Sequence, residues 1–335
     1  MSVAQEAIIA PIVEGMTETD RILSEVLFVD DTESVAGLMS HVSRFSGKRL
    51  RPALVHLCGQ LTAEPSAVAG LMGDLATIGA IMESLHMATL LHDDVLDEAS
   101  VRRKVPTLND MMGNQVPVLL GDLLYARAFD LSLTLPTIRA AKEISGMTQD
   151  LCRGEIEQSA FHFDGQPDEE RYFRVIRGKT ASMFRTSCLL GAIYGGGDES
   201  QAKALAEYGT GLGLAFQIID DCLDVVGDEE AAGKSLGTDL ETGKVTLPII
   251  RLAKGLDARG LAELSELINV SGGPAVVDRR VALRERFDLD SAVAECHQEA
   301  DQQLHRCLGL LDDFAPGPPR VALTELCTFV LERSH

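Results

Sequence analysis

Apolar residues recur along this chain at intervals of three and four over long windows, and β-branched residues rarely alternate with polar ones. That pattern predicts helices and few strands. The window 71–97 shows it most fully: Leu71, Leu75, Ile78, Met82, Leu85 and Thr89 step along one helical face, which ends in the acids Asp93, Asp94 and Asp97. A long buried helix is expected there. Breaks are predicted at 45–47, 104–106, 163–168, 194–198, 227–243, 271–274 and 315–319, each rich in Gly, Pro or Asp. None reads as an interdomain linker, so the expectation is a single all-α domain over 1–335, a bundle of long helices.

One short theme occurs twice: LLHDDVLDEA at 90–99 and IIDDCLDVVG at 218–227. Each copy leads from an apolar pair into Asp-Asp-x-x-Asp, first as Asp93, Asp94, Asp97 and then as Asp220, Asp221, Asp224. Helical residues four apart lie about 40° apart around the axis, so the outer two carboxylates of each copy share a face and could grip one cation. Three carboxylates so close repel one another without a counter-ion. Mg²⁺ suits them, because it takes oxygen ligands, keeps several waters and bridges a few carboxylates to substrate phosphates. Calcium in an EF-hand would need ligands spread over about twelve residues around a central Gly, which neither copy has. A single copy reads equally well as a solvated helix end; two copies that begin on Leu-Leu and Ile-Ile do not.

Composition sharpens this picture. The 335 residues are 45% hydrophobic, ample for a large core, and carry 30 Lys plus Arg against 51 Asp plus Glu. A net charge of −21 would repel a nucleic-acid backbone. Phosphates must then be met by metal ions or by local clusters of positive charge. Such clusters exist: Lys48, Arg49 and Arg51; Arg102, Arg103 and Lys104; Lys179; and Lys234 and Lys244 in a glycine-rich stretch with the reading of a mobile lid. Any one of them alone would pass for a solvated surface residue. Seven scattered cysteines without a C-x-x-C pair suggest neither a disulfide framework nor a zinc site, and fit a reducing cytoplasm. The N-terminal stretch has no basic region before its short apolar run, and no window approaches the ~18 apolar residues of a membrane span. A cytoplasmic protein without stable membrane insertion is expected.

The motifs G-K-R-L-R-P at 47–52, H-M-A-T-L-L-H-D-D-V-L-D at 86–97, R-R at 102–103, G-D at 121–122, G-K-T at 178–180, F-Q-I-I-D-D-C-L-D at 216–224, and G-K-S-L-G-T-D with G-K-V-T-L-P at 233–248 stand in a distinctive order. In that order they resemble the trans-prenyl diphosphate synthase (polyprenyl synthetase) family, from about Gly47 to Pro248. The resemblance implies a transferase of isoprenoid biosynthesis, all-α around a deep apolar cavity and paired as a homodimer. It would condense isopentenyl diphosphate with an allylic diphosphate such as farnesyl or geranylgeranyl diphosphate. It further implies that Lys48, Arg51, His86 and Arg103 hold the isopentenyl diphosphate, and that Arg102, Lys179, Lys234 and Lys244 hold the allylic diphosphate. Asp93, Asp97 and Asp220 would ligate Mg²⁺, three ions per site with Mn²⁺ able to substitute, while Asp94, Asp221, Asp224 and Asp239 surround them directly or through waters. Thr180 and Gln217 would place oxygens near the allylic carbon. Lys104 departs from the family pattern, which has Gly after the two arginines.

The same resemblance assigns product length to Ala88, the fifth residue before the first motif, with Thr89 and Leu85 beside it. A small residue there marks the long-chain members, with octaprenyl-like products, whereas an aromatic marks the short-chain farnesyl and geranylgeranyl synthases. Ala88 also has the plainer reading of a close helix contact. A class I terpene cyclase would share one aspartate motif, but it binds no second diphosphate and leaves Lys48, Arg51 and Arg103 unexplained. A non-catalytic regulatory subunit would be expected to have lost ligands that this chain keeps. An acidic helical interaction protein accounts for the composition and leaves the paired motifs to chance.

Overall fold

The computed structural model describes residues 3–28, 32–45, 47–160, 168–227, 237–241, 243–268 and 276–332, and across these it is almost wholly helical. In chain order the helices are α1 (Val3–Ile9), α2 (Val13–Phe28), α3 (Glu33–Ser43), α4 (Leu50–Thr62) and α5 (Val68–Leu96). A two-stranded hairpin, β1 (Val101–Arg102) and β2 (Val105–Pro106), comes next. Then follow α6 (Leu108–Met112), α7 (Gln115–Ser132), α8 (Arg139–Ala160), α9 (Glu169–Ile176), a π-helical turn at Arg177–Ala181, α10 (Ser182–Tyr194) and α11 (Glu199–Val226). The chain continues through α12 (Thr238–Glu241), α13 (Leu247–Lys254), α14 (Ala258–Ile268), α15 (Val276–Arg286), α16 (Leu289–Leu310) and α17 (Pro318–Glu332). The all-α expectation holds.

The chain divides into two compact units, the first made of Met1–Gly146, Met183–Gly209 and Leu310–Leu326. Its central element is α5, which packs against α2, α4 and α7. The sequence pattern predicts one apolar face for this helix; instead every residue from Ile78 to Leu85 is buried, so the helix is enclosed on all sides. Small residues permit that enclosure. Gly79 lies where a Cβ would come within 2.9 Å of the Thr19 side chain on α2, so that side chain packs directly on the α5 backbone. Thr19 in turn bonds His56 of α4 at 2.9 Å. Contrary to the sequence expectation, Val68–Leu96 is long and apolar enough to cross a membrane by length and composition, yet 56% of its most apolar window is buried inside the protein.

The second unit comprises Met147–Ser182, Thr210–Gly309 and Cys327–His335. Asp168 caps α9 by accepting from the Arg171 N–H at 2.8 Å, and Glu169 and Glu170 complement the helix N-terminus. Gly154 of α8 and Gly178 of the π turn allow these backbones to touch: a Cβ on Gly178 would lie 2.6 Å from the Asp150 carbonyl oxygen. The end of α11 is held by arginines of α15. Arg280 donates to the carbonyls of Val225 at 3.1 Å and Gly227 at 2.7 Å, and Arg284 donates to Val226. These side chains supply the donors that the last helical carbonyls lack.

Candidate active site

In the first unit the aspartate motif occupies the last turn of α5. Asp93 and Asp97 are partly buried, whereas Asp94 is only 1% exposed and accepts from Arg102 Nε at 2.7 Å. Burial pushes the Asp94 carboxyl up to about 6, against the pull of Arg102 and with a further push from Asp93 and Asp97. Its Oδ2 is buried without a hydrogen-bond partner. The chain then turns back through the β1–β2 hairpin, in which Arg102 pairs with Val105 and the loop is Arg103-Lys104. Both loop residues have positive φ, 50° and 66°, the geometry of a type I′ turn. Lys104 therefore occupies a left-handed position that glycine takes without strain, which explains the family's preference for Gly there.

Positive charge gathers around His86, four helical positions before Leu90 on the same helix. Burial, followed by the charges of Arg51, Arg103, Arg102 and Arg49, holds the His86 imidazole well below its ordinary range. Burial also pulls Arg51 down to about 10, with Glu83 opposing and Arg103 adding to the shift. Arg103 is lowered too, by burial and then by Arg102. Buried or half-buried guanidiniums of like charge gathered in this way favour a bound anion. Neighbours fix the geometry: Arg103 donates to the Phe45 carbonyl, and the Arg51 guanidinium lies 5.1 Å from the Phe184 ring centre. Lys48 is exposed at the mouth of this segment.

Sequence reasoning named Arg49 in a basic cluster but gave it no role of its own. It takes a left-handed conformation at φ 53° before α4 and pairs with Glu83 at 3.0 Å and Asp20 at 3.3 Å. A signal was present in Glu83, the single acid between Leu75 and His92 in an otherwise apolar and neutral run. His92 is a packed residue: its Nε2 lies 3.1 Å from the Val118 carbonyl oxygen, and the ring occupies the space that a Cβ on Gly121 would need, at 2.3 Å. Ala88 is fully buried with Met87, Leu91, Leu120 and Leu124. Leu85 is likewise fully buried, and Thr89 turns its hydroxyl to the His86 carbonyl at 2.7 Å.

The second unit brings together Lys179, Thr180, Gln217 and Asp221. Lys179 pairs with Glu155 at 2.6 Å and bonds Gln158 at 3.1 Å, so a diphosphate would have to draw it from these partners. Thr180 donates to Gln217 Oε1 at 2.7 Å, Gln217 Nε2 donates to Asp221 Oδ1 at 2.6 Å, and the Tyr172 hydroxyl donates to Asp221 Oδ2 at 2.7 Å. Burial, then the charges of Asp239 and Asp220, raise the Asp221 carboxyl well above its usual range, while Tyr172 and Gln217 oppose that rise. Asp220 is partly buried, and Asp224 is buried with its Oδ2 accepting from the Asp239 N–H at 3.1 Å. The Lys244 N–H donates to the Asp239 carbonyl at 2.8 Å. Lys234 lies outside the described residues.

These donors suit a hard divalent cation. The candidates are all carboxylate oxygens, and the partnerless buried Oδ2 of Asp94 is an oxygen that a bound ion or its water would satisfy. Among the described residues no three His, Cys, Asp or Glu side chains close into a cage. Mg²⁺ asks for no cage, since it is typically held by one or two carboxylates together with substrate phosphates and waters.

Long helices that end in paired aspartate motifs, one of them beside a guanidinium cluster, define an all-α enzyme class that handles phosphorylated substrates. The Polyprenyl synthetase family matches residues 32–279, and the chain belongs to that family of prenyltransferases. It is 33% identical to the all-trans-nonaprenyl-diphosphate synthase (geranyl-diphosphate specific) of Rhodobacter capsulatus, over 98% of each chain. It is 32% identical to a short chain isoprenyl diphosphate synthase of Methanothermobacter thermautotrophicus, over 90% of this chain and 91% of that one. Among solved structures, a polyprenyl synthase from Caulobacter crescentus complexed with calcium and isoprenyl diphosphate superposes with a TM-score of 0.88 at 28% identity, covering 99% of this chain and 98% of that one. Overall similarity of this size occurs with both long and short products.

Proposed function

We propose that the protein condenses isopentenyl diphosphate with an allylic diphosphate, farnesyl or geranylgeranyl, to make a long-chain, octaprenyl-like all-trans polyprenyl diphosphate. The observation that carries this reading is the gathering of four like charges, Arg49, Arg51, Arg102 and Arg103, around His86 in a chain of net charge −21. A substrate bearing several negative charges relieves that repulsion. Lys48, Arg51, His86 and Arg103 are assigned to isopentenyl diphosphate. Arg102, Lys179, Lys234 and Lys244 are assigned to the allylic diphosphate. Asp93, Asp97 and Asp220, with Asp94, Asp221, Asp224 and Asp239 in support, would hold Mg²⁺, which would supply positive charge to offset that developing on departing pyrophosphate.

The chain's own contribution is to orient and to exclude. Basic side chains hold the two diphosphates so that the isopentenyl double bond meets the allylic carbon, and Thr180 and Gln217 present oxygens to the positive charge that forms there. The proton lost after the new carbon–carbon bond forms passes to the released pyrophosphate, so no side-chain nucleophile is needed. Buried apolar walls such as those around Ala88 keep water from the cation. Ala88 supports the long product, because the resemblance ties a small residue at this position to long-chain members and an aromatic ring to short-chain ones.

A single catalytic domain acting as a cytoplasmic homodimer completes the proposal. The exposed apolar side chains of Met111, Met112, Val118 and Leu119 on α6 and α7 support the pairing. Incubation with radiolabelled isopentenyl diphosphate and each of several allylic starters, followed by chromatography of the dephosphorylated products, tests activity and chain length together. A labelled polyprenol of about eight units is expected; no incorporation with any starter refutes the reading.

A further inference from the structure

Four side chains of the second unit form one continuous hydrogen-bonded line. It runs from the Tyr172 hydroxyl to Asp221 Oδ2 at 2.7 Å, from Asp221 Oδ1 to Gln217 Nε2 at 2.6 Å, and from Gln217 Oε1 to the Thr180 hydroxyl at 2.7 Å. Tyr172 is 6% exposed and Asp221 4%, so water does not substitute for either partner. The line has a direction. Ionised, as it would be with a cation held at the neighbouring Asp220, Asp221 only accepts, so both groups facing it donate. That requirement turns the Gln217 amide with its nitrogen toward Asp221 and its oxygen toward Thr180, an orientation set by the network itself. An amide oxygen also only accepts, so the Thr180 hydrogen is committed to Gln217 and the other side of the hydroxyl oxygen carries lone pairs.

We infer that Tyr172 is a positioning residue for prenyl transfer: acting through Asp221 and Gln217, it fixes the polarity of Thr180 so that lone pairs rather than a hydrogen face the allylic cation. This rests on the function proposed above. Without the phenolic hydroxyl, Asp221 Oδ2 is left buried and without a donor, which frees the carboxyl to turn and the amide to flip. A flipped amide donates to Thr180, whose hydrogen then points at positive charge. Because both oxygens of Asp221 are engaged, its part in this arrangement is to orient Gln217. Sequence alone offers no sign of Tyr172, which reads as one more apolar position on α9.

A double-mutant cycle tests the relay. Single-turnover condensation is measured for wild type, Tyr172→Phe, Thr180→Val and the double variant, together with the KM for isopentenyl diphosphate and calorimetric binding of Mg²⁺-pyrophosphate. Tyr172→Phe is expected to slow the single turnover by about 10- to 100-fold, with KM and Mg²⁺-pyrophosphate affinity within about twofold of wild type. In the Thr180→Val background the same change should cost less than about threefold, because the group it acts through is gone. Replacement of Tyr172 by fluorotyrosines, which keep ring and donor, should preserve the rate, and this series serves alone if the Phe variant does not fold. A Tyr172→Phe rate within about twofold of wild type, an equal loss on Thr180→Val, or a parallel fall in Mg²⁺-pyrophosphate affinity would overturn the inference. So would fluorotyrosine rates as low as that of Phe, or, where the fluorotyrosines stand alone, rates more than about tenfold below wild type. Each outcome is a ratio to wild type, whose own turnover reports separately on the proposed function.

Discussion

Arg102 donates from Nε to Asp94 Oδ1 at 2.7 Å, so one oxygen of the middle carboxylate of the first motif is tied to β1. Asp93 and Asp97, one helical turn apart, are the pair proposed to share a cation.

Removing one such oxygen should be severe. Asp93→Ala and Asp220→Ala are each expected to lower kcat by at least about 100-fold, and EDTA should abolish turnover that Mg²⁺ or Mn²⁺ restores. Steady-state kinetics across a Mg²⁺ titration check this; full activity in chelator excludes it.

Arg103 lies in the guanidinium cluster, and its proposed contact is with the nucleophilic substrate's phosphates. Arg103→Ala should raise the KM for isopentenyl diphosphate by about 10- to 100-fold, as expected for loss of a charge-assisted bond, with a smaller effect on the allylic KM. An unchanged isopentenyl KM removes Arg103 from that role.

Lys104 carries a backbone strain that glycine does not. Its φ of 66° in a two-residue hairpin loop predicts that Lys104→Gly stabilises the protein by about 0.5–1 kcal/mol. Chemical denaturation measures it, and a loss of stability in the variant would show that the lysine side chain does more for the turn than its strain costs.

His56 is 1% exposed, and burial holds its imidazole down at about 4. The unfolded chain binds this proton near pH 6.5, so the stability of the neutral form is fully present above that pH and is lost as pH falls toward 4. The span corresponds to about 3 kcal/mol. His56→Gln should flatten the slope of melting temperature against pH between 6.5 and 4; an unaltered slope assigns the acid sensitivity elsewhere.

Ala88 sets the last expectation. Ala88→Phe or Ala88→Tyr should shorten the main product to farnesyl or geranylgeranyl diphosphate while Mg²⁺ dependence persists. The ring must displace Leu120 or Leu124 or occupy the space between them, so a modest loss of stability is also expected. Product chromatography decides, and an aromatic variant that still makes the long product refutes the gate.

Much of this protein is legible in its sequence because the controlling interactions are local. Helical periodicity needs only a few turns of chain, and Asp-Asp-x-x-Asp declares its chemistry through the 3.6-residue turn that brings Asp93 and Asp97 to one face. Even the departure at Lys104 was visible, although its meaning waited on the φ angles of the hairpin. The pairings were not legible. Tyr172 and Asp221 are 49 residues apart, Arg49 and Glu83 34, and Arg280 and Val225 55. No periodicity links such residues; only the folded chain selects among the many donors that could meet each acceptor. For the same reason the sequence identified the carboxylates, while the tertiary structure decided that Asp94 answers to Arg102 and Asp221 to Tyr172 and Gln217. Burial strips both of water, and a desolvated carboxylate must find its donors within the protein.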